Sequence, residues 1–157
     1  RDDLVTGVQT CALPIFGYMI SGSAIWNINK REVVLKEGDY YYFPTGTQYG
    51  LKILSKANIL EVLSTSPSSN LNPSFGDINL QKKGPIMEVN LINNITCGPT
   101  DSMIYTLRGS MKAVLDDREI DLSPGDSIYI KDKSELIVMS SDNFSALRIS
   151  RKIIGLQ

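Results

Sequence analysis

A chain of 157 residues with 42% hydrophobic and 21% charged side chains has the balance of one ordinary folded domain or of two small ones. Sixteen basic and seventeen acidic groups leave a net charge of -1 with no block of like charge, so neither a nucleic-acid backbone nor an anionic membrane surface is an expected partner. No apolar run approaches the roughly 20 residues that span a bilayer. With no secretory signal at the start and only two cysteines, Cys11 and Cys97, a cytoplasmic, reducing location is expected.

The chain contains no histidine. A Ser-His-Asp triad, a Cys-His pair and any histidine-ligated zinc, iron or manganese site are therefore excluded for the chain as it stands.

Near the start, the eleven residues Val5 to Ile15 resemble the in-frame translation of a widely used sequencing-library adapter. The segment has no clear period and no counterpart later in the chain. Residues 1–15 are therefore expected to be foreign to the natural protein, with Phe16 its first visible residue and further natural sequence upstream. On that reading Cys97 stands alone.

From Tyr18 onward, short β-prone runs alternate with turn signals, the pattern of an all-β fold. Tyr18 to Ile20 ends at Ser21-Gly22, Ala24 to Ile28 ends at Asn29-Lys30, and Glu32 to Leu35 ends at Gly38-Asp39. Gly38-Asp39 then feeds the aromatic run Tyr40 to Phe43, which Pro44 and Gly46 stop. Tyr49 to Leu54 and Asn58 to Ser64 follow. Ser66 to Pro85, with its serines, asparagines and prolines and with Gly76 and Gly84, reads as a connection, part of which packs through Phe75 and Ile78. A second set begins with the apolar stretch Ile86 to Ile92, passes a loop at Cys97-Gly98-Pro99, and runs from Ser102 to Arg151.

The two sets are copies. An ungapped offset of 87 residues pairs Tyr18 with Tyr105, Gly22-Ser23 with Gly109-Ser110, Arg31-Glu32 with Arg118-Glu119 and Leu35 with Leu122. It also pairs Gly38-Asp39 with Gly125-Asp126, Tyr42 with Tyr129 and Leu60 with Leu147. Turn residues and apolar positions recur together, which marks a repeated fold unit. Positions apolar in both copies are expected to face inward: Ala24, Trp26 and Ile28; Tyr41 and Phe43; Leu60 and Val62 with their partners Leu147 and Ile149; and Tyr49, since Tyr49, Leu51 and Ile53 match Leu136, Val138 and Ser140. Glu61 and Arg148 are expected to face outward. Tyr40 and Tyr42 are expected to share an outer surface, a site for a homodimer contact.

The spacing of Gly38, Pro44 and Gly46 resembles the second sequence motif of the cupin superfamily, in which glycine, proline and glycine precede a histidine and an asparagine. The resemblance covers nearly everything after Phe16. It implies two cupin-type jelly-roll β-barrel units in tandem, a bicupin: a first unit at 16–65 that is truncated at its N-terminus, a linker at 66–85 and a degenerate, structural second unit at 86–157. Truncation would leave unpaired edges beside Tyr18 to Ile20 and Tyr40 to Phe43.

The family's metal ligands do not carry over. The motif's histidine position is Tyr49 and its asparagine position is Ile53. In the second copy the proline and glycine positions are Lys131 and Lys133, and the histidine position is Leu136. The family's first motif puts a glutamate at Ile15, with histidines before it, and at Ser102 in the second copy. No metal is therefore expected for the chain as it stands.

The leading expectation is a metal-free bicupin that binds a small molecule, a sugar or carboxylic acid type metabolite, against Tyr49, Trp26 and Tyr18 in the first unit. Gly38, Asp39, Pro44, Gly46, Gly125 and Asp126 serve as structural turn residues, and no catalytic residue is assigned. One alternative is a fragment of a metal-dependent cupin isomerase, lyase or dioxygenase, sugar-phosphate isomerase-like enzymes among them, whose divalent-metal ligands lay upstream. The other is the sensor module of a regulator.

Overall fold

The structure is a computed structural model and describes residues 7–64, 72–79, 87–97 and 100–151. Parts of four expected segments lie outside the described residues: 5–6 of the adapter-like stretch, 66–71 and 80–85 of the connection, Ile86, and Gly98-Pro99. The chain divides into two compact units, Arg1–Leu80 and Gln81–Gln157. All described elements are β-strands. Among the described residues no helix is long and apolar enough to cross a membrane.

The first unit holds β1 (Gln9–Thr10), β2 (Ile15–Ser21), β3 (Ser23–Ile28), β4 (Arg31–Lys36), β5 (Asp39–Phe43), β6 (Gln48–Ile53), β7 (Asn58–Leu63) and β8 (Ser74–Asp77). They form two four-stranded antiparallel sheets, in the orders β1-β6-β3-β4 and β7-β2-β5-β8. One core collects Met19 from β2, Ala24, Trp26 and Ile28 from β3, Leu35 from β4, and Tyr41 and Phe43 from β5. Two features enlarge this unit beyond residues 16–65. Gln9–Thr10 pairs with Gln48 and Tyr49 of β6, and Cys11 and Ile15 are buried in the core. Ser74–Asp77, from the expected connection, pairs with β5, so that Phe75 packs on the same core.

The second unit holds β9 (Met87–Ile92), β10 (Ser102–Leu115), β11 (Arg118–Leu122), β12 (Ser127–Ile130) and β13 (Leu136–Arg151), in the order β11-β10-β13-β9 with β12 also paired to β10. Its core includes Ile95, Ile104, Met111, Ala113, Leu122, Ile130, Phe144 and Ala146. The long ladder between β10 and β13 shifts register on both sides of Arg108 and between Lys112 and Ala113, as β-bulges do.

The repeat survives at the level of single hydrogen bonds. Asn29-Lys30 and Asp116-Asp117 are tight turns with positive φ at both residues, 48° and 69° in the first and 48° and 67° in the second. Asn29 Oδ1 accepts from Gln48 N at 2.9 Å, and Asp116 Oδ1 accepts from Glu135 N at 2.9 Å. Asp39 Oδ2 closes its turn by accepting from Lys36 N at 2.9 Å, as Asp126 Oδ2 does from Ser123 N at 2.8 Å. The amides of Gly38 and Gly125, both left-handed, donate to Met19 O and Thr106 O, each at 2.9 Å. Thr47 N bonds Pro44 O at 3.2 Å, and Ser134 N bonds Lys131 O at 3.1 Å, so this turn persists where proline has been lost.

Three expectations are corrected. Tyr40 and Tyr42 are buried, at 5% and 2% exposure. The face they share with Phe16 and Tyr18 is itself apolar, and the Phe16 and Tyr40 rings stack at 6.4 Å. The strands carrying Tyr18 and Tyr40 are also not edges, since β2 lies between β7 and β5, and β5 between β2 and β8. Finally, the inward set on β7 and β13 is shifted by one residue. Ile59, not Leu60, packs on the first core, and Glu61 follows it on that face. Ala146 is in the second core, which puts Arg148 on the core side and Leu147 and Ile149 on the opposite face.

Candidate functional site

Four aromatic side chains fill the first unit between its sheets. Alternation on β5 turns Tyr41 and Phe43 inward, β3 supplies Trp26 and β6 supplies Tyr49. Trp26 lies 4.4 Å from Tyr41, 5.6 Å from Phe43 and 6.4 Å from Tyr49 between ring centroids, and Phe43 lies 5.2 Å from Tyr49. Rings in such contact are a packed core with tilted and edge-on geometry, and leave no slot for a ligand between them.

The polar chemistry sits at the margin of this aromatic core. The Tyr41 hydroxyl donates to Glu61 Oε2. Gly17, on the strand between β5 and β7, is in register with both residues, and any Cβ there would fall on the Tyr41 ring. The missing side chain is therefore what lets the phenol cross to the carboxylate. The Tyr49 hydroxyl donates to Gln9 Oε1 at 2.9 Å, and Cys11 is buried beside them, with its backbone joined to Thr47 and Gly46. No acceptor among the described residues meets the buried Trp26 Nε1.

The electrostatics tie these groups together. Burial, then the hydrogen bond and charge of Glu61, raise the Tyr41 phenol far above its ordinary range. Burial, then Cys11 and Glu61, raise Tyr49. Burial, then Glu61, push the Cys11 thiol up to about 11. The site thus sets the exposed Glu61 side chain beside two phenols and a thiol that hold their protons more tightly than usual.

Of the residues expected to bind ligand, the structure brings Trp26 and Tyr49 together. Tyr18 lies on the other face of β2 from Gly17, in register with Tyr40 and Leu60. The turn residues behave structurally: Asp39 is buried, Gly46 is left-handed at φ 90° and donates to Cys11 O, and Pro44 is fully buried. Sequence reasoning missed Glu61, Tyr41 as a donor, Gln9 and Cys11. The available signal was a lone carboxylate inside an apolar strand, with a glycine on the strand it pairs with.

A divalent metal asks for imidazole or several carboxylate donors. Tyr49 and Ile53, at the positions of the motif's histidine and asparagine, offer one protonated phenol and an alkyl chain. Gln9 and Cys11, ahead of Ile15, offer an amide and a thiol that keeps its proton. Among the described residues no group of three or more His, Cys, Asp or Glu comes together. These residues do not fit a divalent metal.

Comparison with known proteins gives a consistent picture. Residues 13–66 match the family model of the Cupin domain. No curated protein matches the sequence. Among solved structures, the Escherichia coli protein Ylba superposes with a TM-score of 0.74 at 16% identity, covering 96% of this chain and 82% of that one. A Cupin 2 conserved barrel domain protein from Leptotrichia buccalis gives 0.61 at 13% identity, over 96% and 78%. A mutant of Bacillus subtilis oxalate decarboxylase gives 0.68 at 15% identity, over 94% of this chain and 65% of that one. At these identities the likeness is one of fold.

Proposed function

We propose, from the premise that residues 13–66 are a cupin domain, that the chain is a bicupin that binds a small hydroxylated metabolite of the sugar type at the margin of its first unit. The observation that carries the reading is Glu61, exposed to solvent at its end and bonded to the Tyr41 hydroxyl at the edge of an aromatic core. A carboxylate that still has acceptor capacity favours ligands with O–H donors, and its charge disfavours a carboxylic acid at the same spot. The half-exposed Tyr49, held by Gln9, adds an aromatic edge and a hydroxyl. Pockets for polar metabolites combine such an apolar wall with a few oriented polar groups. The second unit, with Ile104 and Ile128 in place of Gly17 and Tyr41, does not reproduce this arrangement.

The enzyme alternative has the fold likeness to oxalate decarboxylase in its favour and the donor set described above against it. The test is titration of the full chain with neutral monosaccharides and polyols, followed by amide NMR shifts and by the fluorescence of Trp26. Saturable changes near Tyr49 and Glu61, weakened in Glu61→Gln and Tyr49→Phe, support the reading. Absence of saturable binding across the panel, or binding indifferent to both substitutions, overturns it.

A further inference from the structure

We propose that the second unit carries its own binding site, for a small carboxylate, built on Arg148. The 87-residue offset puts Arg148 where the first unit has Glu61. Register confirms the equivalence: Glu61 pairs with Gly17, which pairs with Tyr41, and Arg148 pairs with Ile104, which pairs with Ile128. One position on the core side of a repeated strand thus carries a charge in both copies, with opposite sign. A position kept merely for packing would be apolar, as Ile59 and Ala146 are two residues earlier in each strand.

Among the described residues the partners of Arg148 are all neutral. Its Nε donates to Ser102 Oγ at 3.0 Å, and its Nη1 donates to Thr96 O and, at 3.5 Å, to Thr96 Oγ1. Ser102, at 1% exposure, is held in turn by Ser150 Oγ at 2.9 Å and Thr100 O at 3.5 Å. These contacts fix the plane of the guanidinium without neutralising it, and Nη2 has no partner among the described residues. A guanidinium keeps its charge throughout the accessible pH range. A half-buried cation oriented by neutral oxygens, with donors to spare, is a seat for an anion. A second polar group on that face of β10 is also unsatisfied: Thr106 Oγ1, fully buried, finds no partner in the described structure.

The charge count selects the anion. One cation with neutral hydroxyls balances a monoanion, and the planar guanidinium fork matches the two oxygens of a carboxylate. A phosphate dianion would call for a second cation, and among the described residues none bonds into this cluster.

The site does not depend on the sugar reading of the first unit and is read from separate resonances. The 157-residue chain is titrated with acetate and lactate, and in parallel with inorganic phosphate and sulfate. The Arg148 side-chain Nε–H signal and the Thr96, Ser102 and Ser150 amides are followed by NMR. The expected result is saturable movement of these signals with the carboxylates, and affinity lowered by more than about tenfold in Arg148→Gln. Arg148→Lys, which keeps the charge and loses the fork, should fall between the two. Should Arg148→Gln not fold, the titration of the unaltered chain still decides. A linear drift without saturation, no movement of the Arg148 signal, or saturation by phosphate or sulfate in preference to the carboxylates overturns the proposal.

Discussion

Tyr41 reaches Glu61 by crossing over Gly17, the one residue on the intervening strand with no side chain to block it. Three consecutive strands thus cooperate in one hydrogen bond at the margin of the core. In the second unit the same three positions are Ile128, Arg148 and Ile104, and the phenol bridge is replaced by packing.

Gly17→Ala tests the crossing. The added methyl would occupy the Tyr41 ring, which is itself wedged against Trp26 and Phe43 at 4.4 and 4.6 Å, so it has nowhere to go. A loss of about 1–3 kcal/mol is expected in urea unfolding, the range for overpacking a dense core. Unchanged stability would contradict the placement of Tyr41.

Gly22 and Gly109 should be equally intolerant, each for the same two reasons. Both are left-handed, at φ 80° and 70°, and a Cβ on either would strike backbone: Lys56 O in the first unit, and Asp142 O and Asn143 O in the second. Either alanine variant should lower stability by about 1–3 kcal/mol. Thermal unfolding of the single variants checks this, and tolerance at one site alone would break the equivalence of the units.

Asp39→Ala should cost more than Asp126→Ala, although the two carboxylates make the same turn bond. Asp39 is buried at 7% exposure with the Lys36 ammonium 3.7 Å away, whereas Asp126 is exposed and water can replace its bond. About 1–3 kcal/mol is expected for Asp39 and less than about 1 for Asp126. Equal losses by chemical denaturation would count against the burial difference.

Cys11 gives a pH signature. Its thiol rises from an ordinary 9.0 to about 11 in the fold, so the folded chain holds this proton more tightly than the unfolded one. Its contribution is complete below about pH 9 and is lost as pH rises toward 11. Stability measured across that window should fall less steeply in Cys11→Ala. In native protein at pH 8 a thiol reagent should label exposed Cys97 quickly and Cys11 only on unfolding. Rapid labelling of both would show that Cys11 is not buried.

The strand-and-turn plan was legible because its signals are local. Asn29-Lys30 and Gly38-Asp39 need particular backbone angles, and such needs are met by residue type at the turn itself. On β3, β5 and β6 the inward set was legible as well, through Trp26, Tyr41 and Tyr49, since those positions are apolar or aromatic in both copies, with Ala113, Ile128 and Leu136 as their partners. Alternation failed on β7 and β13. There both faces are apolar, with Ile59 and Leu60 adjacent in one and Ala146 and Leu147 in the other, so a polar residue between apolar neighbours does not reveal its side. Placing Glu61 and Arg148 on the side of the strand away from the core followed from assuming that only one face of the sheet is covered.

By itself, the sequence determined an all-β chain built from a repeated unit, the turns that punctuate it and the absence of imidazole chemistry. Each of these depends on residue type or on spacing along the chain. The tertiary structure alone decided that Glu61 and Arg148 lie on the core side of their strands, that Tyr18 lies on the face away from the site, that Tyr40 is buried, and that Gln9 meets Tyr49. Those facts depend on which strands become neighbours, and pairing between residues as distant as Gln9 and Tyr49 is set by the balance of burial over the whole unit, which no local window contains.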